Sequence, residues 1–98
     1  MNIKDSKQNH VYTMILDGSL DTSTVSMFDE KFTNITPEIK EVVLDFTGLA
    51  YISSAGLRSI LSITELLGDD GIITVKGANP RVKDVLNVTG FSAILNMV

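Results

Sequence analysis

Two adjacent serines, Ser53 and Ser54, stand just before a stretch whose apolar residues recur at helical spacing. Ser53 therefore occupies the predicted N-cap, and Ser54 the first helical turn. An N-cap serine stabilises a helix by about 1 kcal/mol, which accounts for Ser53 but not for Ser54. Gly56 costs about 1 kcal/mol relative to alanine inside a helix. With Ala55 it leaves the helix start without bulk, either for close approach by another backbone or for tight packing on the protein's own sheet.

A hydrolase that uses Ser54 as its nucleophile lacks the other parts it would need. Ile52 stands where a nucleophile elbow requires glycine, and the only histidine is His10, in the polar N-terminal stretch. The absence of cysteine excludes disulfides, thiol catalysis and thiolate metal sites. There is no Gly-rich phosphate loop and no paired set of metal carboxylates. We therefore expect a protein that is not an enzyme and that needs no cofactor of its own.

Composition and charge narrow the class of protein further. The 98 residues are 44% hydrophobic and 20% charged, which predicts one globular domain covering residues 1–98. The net charge is −4 and the basic residues are scattered, which argues against binding to nucleic acid or to an anionic membrane. Met1 to His10 lacks the apolar run of a secretory signal, and no stretch is apolar enough to span a bilayer. We expect a cytoplasmic protein.

Strands are predicted where β-branched and apolar residues form short runs. The first strong strand ends at the turn signal Asp17-Gly18, and we expect both of its faces to be covered because Ile15 is apolar as well. A weaker pattern before it predicts a short edge strand, and the C-terminus predicts a last short strand. The predicted strands are Asn2–Lys7, Val11–Leu16, Glu41–Phe46, Ile72–Val75 and a segment within Ile94–Val98.

Helices are predicted between these strands from caps and 3.6-residue spacing. The first follows the cap-forming residues Asp21 to Thr24 and places Val25, Phe28, Phe32 and Ile35 on one face, before Pro37. The second is the helix after Ser53, with Leu57, Ile60, Leu61, Thr64 and Leu67 on one face and Gly68 at its end. The third opens with Asn79-Pro80 as cap and first residue, and ends at Gly90.

The alternation of these elements predicts an α/β fold: a mixed, mostly parallel sheet of four to five strands packed with three helices. In such a sheet the loops after the strands gather at one edge, where functional residues usually lie. Asp21 and the two serines each follow a strand, so we expect them to lie close together.

Three segments resemble the motifs of STAS domains of the anti-sigma-factor antagonist kind. Asp45 to Leu57 resembles the family signature, in which a strand leads through an aromatic-hydrophobic pair to a Ser-rich, glycine-containing helix start. Gly18 to Asp21 resembles a second, shorter motif, and the segment from Asn79 to Phe91 resembles the third helix with its following turn. The likeness runs in the family's order from Val11 to the C-terminus, and it implies a STAS-like fold over the chain.

The resemblance also implies roles for individual residues. The phosphorylated serine of the antagonists corresponds to Ser54; Ser53, which stands where many antagonists have aspartate, is the second candidate. The family's two aspartates correspond to Asp21 and Asp45, although Asp21 could instead serve only to cap the first helix. The implied partner-binding residues are Asp21, Ser53, Ser54, Ala55, Gly56 and Arg58.

The partners follow from the same resemblance. The unmodified antagonist binds an anti-sigma factor that is also a serine kinase, phosphorylation releases it, and a serine phosphatase restores it. ATP and magnesium belong to the kinase. The alternative is a STAS domain that binds through the same face without phosphorylation, either as the cytoplasmic subunit of a lipid-transport ABC system or as a ligand-responsive module.

Overall fold

Five strands form one mixed sheet in the order β1-β2-β3-β4-β5 in the computed structural model, which describes residues 1–98. β1 is antiparallel to β2, and every other neighbouring pair is parallel. This confirms the predicted mixed, mostly parallel sheet. The strands are β1 Asn2–Gln8, β2 Val11–Leu20, β3 Glu41–Ile52, β4 Ile72–Lys76 and β5 Asn96–Met97.

Three α-helices connect the parallel strands, as predicted: α1 Val25–Glu30, α2 Ser54–Leu67 and α3 Pro80–Val88. The prediction of one regular helix through Ile35 is wrong after Glu30, where the chain tightens into a 3₁₀ turn at Lys31–Asn34. Phe28 and Phe32 nevertheless pack edge to face, with ring centroids 5.0 Å apart, so the apolar spacing still serves the core. None of the helices has the length and apolar character needed to cross a membrane.

The ends of α2 and α3 follow the predicted local chemistry. The Asn79 side chain accepts a hydrogen bond from Val82 N at 2.8 Å, and Pro80 occupies the first turn, where no N–H is needed. Gly68 and Gly90 follow the two helices with φ of 75° and 82°, a conformation that other residues rarely adopt.

The hydrophobic core lies on one face of the sheet. Tyr12, Met14 and Leu16 of β2 are fully buried, whereas Ile15 between them is 43% exposed. The prediction that both faces of this strand are covered is therefore wrong, because helices pack on one face only and apolar composition does not say which faces are covered. The buried side chains of strands and helices form a single core of 20 residues.

β2 and β3 run further than the sequence predicted, and this extension positions the site. The predicted turn at Asp17-Gly18 is instead part of β2, which continues to Leu20 beside β3. At two positions along the pairing β3 has one residue more than β2, so the register of the two strands shifts there, as in a β-bulge. Gly18, with φ of 119°, lies between these shifts, and the pairing ends with Leu20 opposite Ile52.

Candidate functional site

The candidate site lies at the carboxyl ends of β2 and β3. Ser53 N donates a hydrogen bond to Leu20 O at 2.9 Å, immediately beyond the pairing of Leu20 with Ile52. The residues that follow, Asp21 on one strand and Ser54 on the other, therefore leave the sheet side by side. The expectation that Asp21 and the two serines lie close together is confirmed, and the long parallel pairing is its cause.

The two serines have different environments. Ser53 is half-buried at the N-cap of α2, where its Oγ accepts from Gly56 N at 3.5 Å. Ser54 is the first helical residue and is exposed, and no hydrogen bond within the chain involves its hydroxyl. The capping role predicted for Ser53 is confirmed. The Ser54 hydroxyl is left available to groups outside the chain.

Asp21 organises the turn that leads into α1. Its carboxylate accepts hydrogen bonds from the Ser23 hydroxyl at 2.7 Å and from Ser23 N at 2.9 Å. These two bonds hold the pKa of Asp21 below its ordinary value, so the carboxylate stays ionised at neutral pH. Thr24, not Asp21, is the N-cap residue of α1. The Asp21 side chain thus has a local structural role, and the residue directly follows Leu20, whose carbonyl accepts from Ser53 N before α2.

Gly56 is buried, and it contacts the sheet rather than solvent. A Cβ atom at this position would lie 2.8 Å from Leu20 Cγ and 2.9 Å from Ile52 Cγ1. Its missing side chain lets α2 pack closely on the ends of β2 and β3. A contact of Gly56 with a partner stays a prediction. Ala55, the neighbouring small residue, is half-buried and keeps access to solvent.

Arg58 lies one turn beyond Ser54 on the exposed side of α2. It borders a cleft of about 230 Å³ between α1 and α2, together with Ala55 and the α1 residue Asp29. At the base of this cleft the Ser59 hydroxyl donates to Asp29 Oδ1 at 2.7 Å, which ties the two helices together. The structure has three ion pairs, and Arg58 takes part in none of them.

The N-terminus of α3 abuts the same edge of the sheet. The Asn79 amide donates to Leu49 O at 3.0 Å, which joins the α3 cap to the last residues of β3. The Arg81 guanidinium lies 4.8 Å from the centroid of the exposed Tyr51 ring, within cation–π range. Tyr51 and Arg81 were not among the residues predicted for the site. The position of Arg81 directly after the predicted helix start Asn79-Pro80 was the signal that could have found it.

A comparison with known protein families identifies the fold family. The sequence matches the family model of the STAS domain over residues 2–98. The chain belongs to the STAS domain family. The resemblance seen in the three sequence motifs is therefore confirmed.

Similar proteins include anti-sigma factor antagonists. The chain is 39% identical over 56 residues to a Bordetella bronchiseptica protein named "Putative anti-sigma factor antagonist BtrV", a match that covers 56% of this chain and 48% of BtrV. The match thus spans about half the length of that relative. An anti-sigma factor antagonist from Mycobacterium paratuberculosis superposes with a TM-score of 0.85 at 16% identity, covering 98% of this chain and 83% of that one. SpoIIAA of Bacillus in its phosphorylated form superposes with a TM-score of 0.76 at 17% identity, covering 99% and 91%. At such identities these superpositions show the shared fold.

Asp45 of this STAS domain lies away from the serines. Asp45 is in the middle of β3, paired with Ile15, and forms an ion pair with Lys76 at 3.9 Å. Hydrogen bonding from Thr47, and then the charge of Lys76, lower the pKa of Asp45. The predicted end of this strand at Phe46 is wrong, because β3 continues to Ile52. Its carboxylate contributes to the sheet and not to the edge that carries Ser54.

His10 lies at the opposite end of the sheet from Ser54. It precedes β2, and its Nδ1 is 2.9 Å from the backbone oxygen of Glu38, in the loop before β3. Since β2 and β3 are parallel, residues before β2 and after β3 cannot meet, and a Ser54–His10 catalytic pair is excluded. No group of three His, Cys, Asp or Glu side chains converges in a way that could hold a metal ion.

Proposed function

We propose that this STAS domain is a cytoplasmic anti-sigma-factor antagonist whose binding surface is switched by phosphorylation of Ser54. In its unmodified form it binds an anti-sigma factor that is also a serine kinase, and this frees the sigma factor. Phosphorylation releases the antagonist, and a serine phosphatase restores it. The description of BtrV as an anti-sigma factor antagonist, together with the shared fold of SpoIIAA in a phosphorylated form, supports this assignment.

The environment of Ser54 is the main support for this proposal. Its hydroxyl is exposed and free of internal hydrogen bonds, so a kinase can reach it without opening the fold. Ser53 is half-buried and its Oγ caps α2, so its modification would disturb the helix start. In the reaction, Ser54 Oγ attacks the γ-phosphorus of kinase-bound ATP. The Oγ–P bond forms, the bond to the departing ADP breaks, and the serine proton passes to a base of the kinase.

The charge introduced by phosphorylation acts on the partner more than on the fold. A phosphoserine carries roughly −1.5 to −2 charges at neutral pH. The start of a helix tolerates such a charge because of its free N–H groups and dipole, and the first turn of α2 has no acidic residue. At the interface, however, a small neutral hydroxyl becomes bulky and anionic beside the ionised Asp21. An acidic group of the partner at this point would then be repelled.

Incubation with the cognate kinase and ATP tests the assignment. Mass spectrometry should find one added phosphate on the wild type and on Ser53→Ala, and none on Ser54→Ala. Ser53→Ala is the matched control, because it removes the neighbouring hydroxyl and keeps the proposed acceptor. A wild-type chain that stays unmodified by a kinase active on another substrate would rule out the switch. Phosphate on Ser53 instead would move the acceptor by one residue.

A pair of near-isosteric variants separates charge from size at the same position. Ser54→Asp should bind the anti-sigma factor more weakly than Ser54→Asn, because only the aspartate is charged. Both variants should keep the wild-type Tm within a few degrees, since Ser54 is exposed. Equal affinities of wild type and Ser54→Asp would place Ser54 outside the interface, and loss of the fold in Ser54→Asp would show that Ser54 is structural.

A further inference from the structure

Ser54 and Arg58 occupy one exposed ridge of α2. They are four residues apart within Ser54–Leu67, and both side chains face solvent. Residues at this spacing have Cβ atoms about 5–6 Å apart, within reach of a long side chain. The guanidinium of Arg58 is therefore close enough to contact a group attached to Ser54 Oγ.

Arg58 is not committed to any carboxylate of the protein. The three lysines Lys7, Lys31 and Lys76 form the ion pairs of the structure, and Arg58 has no carboxylate oxygen within 4.0 Å. The one acidic residue that lines the cleft with Arg58 is Asp29, which already accepts the Ser59 hydroxyl bond. Because Arg58 has no ion-pair partner in the protein, it can bind a new anion without breaking an existing ion pair.

We propose that Arg58 binds the phosphate on phosphorylated Ser54 and is withdrawn from the partner surface when it does so. The inference rests on the proposed function, because it concerns the phosphorylated state of Ser54. The planar guanidinium can donate two parallel N–H bonds to phosphate oxygens, a geometry that lysine does not offer. Phosphorylation then changes two features of the interface: it adds an anion at Ser54 and turns the Arg58 cation inward along α2.

Arg81 provides a matched control on the same edge of the sheet. It is the only other arginine of the chain, and it too is exposed and outside the ion pairs. Its guanidinium lies over the Tyr51 ring, on α3 rather than on the ridge that carries Ser54. Replacing either arginine by glutamine removes one positive charge, but only Arg58→Gln removes the donor at the helical spacing from Ser54.

A phosphorus NMR titration tests the contact directly. Phosphoserine is placed at position 54 during protein synthesis, so that no kinase is needed, and the second pKa of the phosphate is read from its chemical shift. Arg58 should lower that pKa, because it stabilises the dianion. Arg58→Gln should raise it by roughly 0.5 unit or more. Arg81→Gln should change it less, and Arg58→Lys should recover part of the shift.

Two outcomes would overturn the inference: the same phosphate pKa in the wild type and in Arg58→Gln, or equal shifts in Arg58→Gln and Arg81→Gln. The second would mean that general charge, and not a contact, sets the pKa. The proposed function fails on a different result, the absence of kinase-catalysed phosphorylation at Ser54. Since the titration uses phosphoserine already in the chain, the two failures are distinguishable.

Discussion

Replacing Gly56 by alanine tests whether this glycine serves packing within the protein. The added Cβ would lie 2.8 Å from Leu20 Cγ and 2.9 Å from Ile52 Cγ1, both shorter than an ordinary contact. Leu20 and Ile52 are fully buried, and the atoms concerned are not the flexible ends of their side chains. Overpacking of this kind destabilises by about 1–3 kcal/mol, whereas alanine in a helix gains about 1 kcal/mol over glycine.

The balance is a loss of about 1 kcal/mol in the free energy of unfolding. For a domain of this size that corresponds to a decrease in Tm of roughly 4–8 °C. Urea unfolding followed by circular dichroism measures the loss, and an unchanged m-value would show that the folded and unfolded states are otherwise alike. Ser54→Ala is the control: it puts the same residue two positions earlier in α2, at an exposed site, and should stay within about 0.5 kcal/mol of the wild type.

The packing explanation would be refuted by a Gly56→Ala variant that is more stable than the wild type by about 1 kcal/mol. In that case the helix gain would be unopposed, and Leu20 and Ile52 would not limit the site. A variant with wild-type stability but reduced affinity for the anti-sigma factor would go further. It would return Gly56 to the partner surface predicted from the sequence.

Two further predictions concern hydrogen bonds that hold the elements around the site. Asn79→Ala should lower the free energy of unfolding by about 1–2 kcal/mol, because the side chain both caps α3 at Val82 N and donates to Leu49 O. Asn79→Asp keeps the cap but loses the donor, so its free energy of unfolding, measured with urea, should lie between those of the wild type and Asn79→Ala. Burial, together with the hydrogen bond to Asp5, raises the pKa of Tyr12 to about 12, so the unfolded chain releases this proton first and stability should fall as the pH rises from about 10 to 12. In Tyr12→Phe that part of the alkaline loss should disappear, and an unchanged pH profile would contradict the assignment.

Local chemistry made the helix starts predictable from the sequence. Ser53 as a cap and Asn79-Pro80 as cap and first residue depend on a few neighbouring atoms, and the structure has both. The mostly parallel sheet followed from the alternation of strands and helices. Both kinds of signal lie within short stretches of sequence.

Features that depend on distant residues were not predictable in the same way. Asp17-Gly18 carries the composition of a turn, but pairing with β3 keeps it in the strand. Ile15 is apolar, and only the placement of the helices leaves it 43% exposed. Gly56 could serve a partner or the fold, and its role in the fold shows only in its contact with Leu20, which is 36 positions earlier in the chain.

The affinity of the cognate anti-sigma factor for the two forms of the chain shows whether phosphorylation of Ser54 switches binding. Isothermal titration calorimetry without ATP would compare the unmodified protein with the protein phosphorylated at Ser54. We expect binding at least about tenfold weaker after phosphorylation, equivalent to about 1.4 kcal/mol, with an unchanged circular dichroism spectrum. Equal affinities of the two folded forms would contradict it.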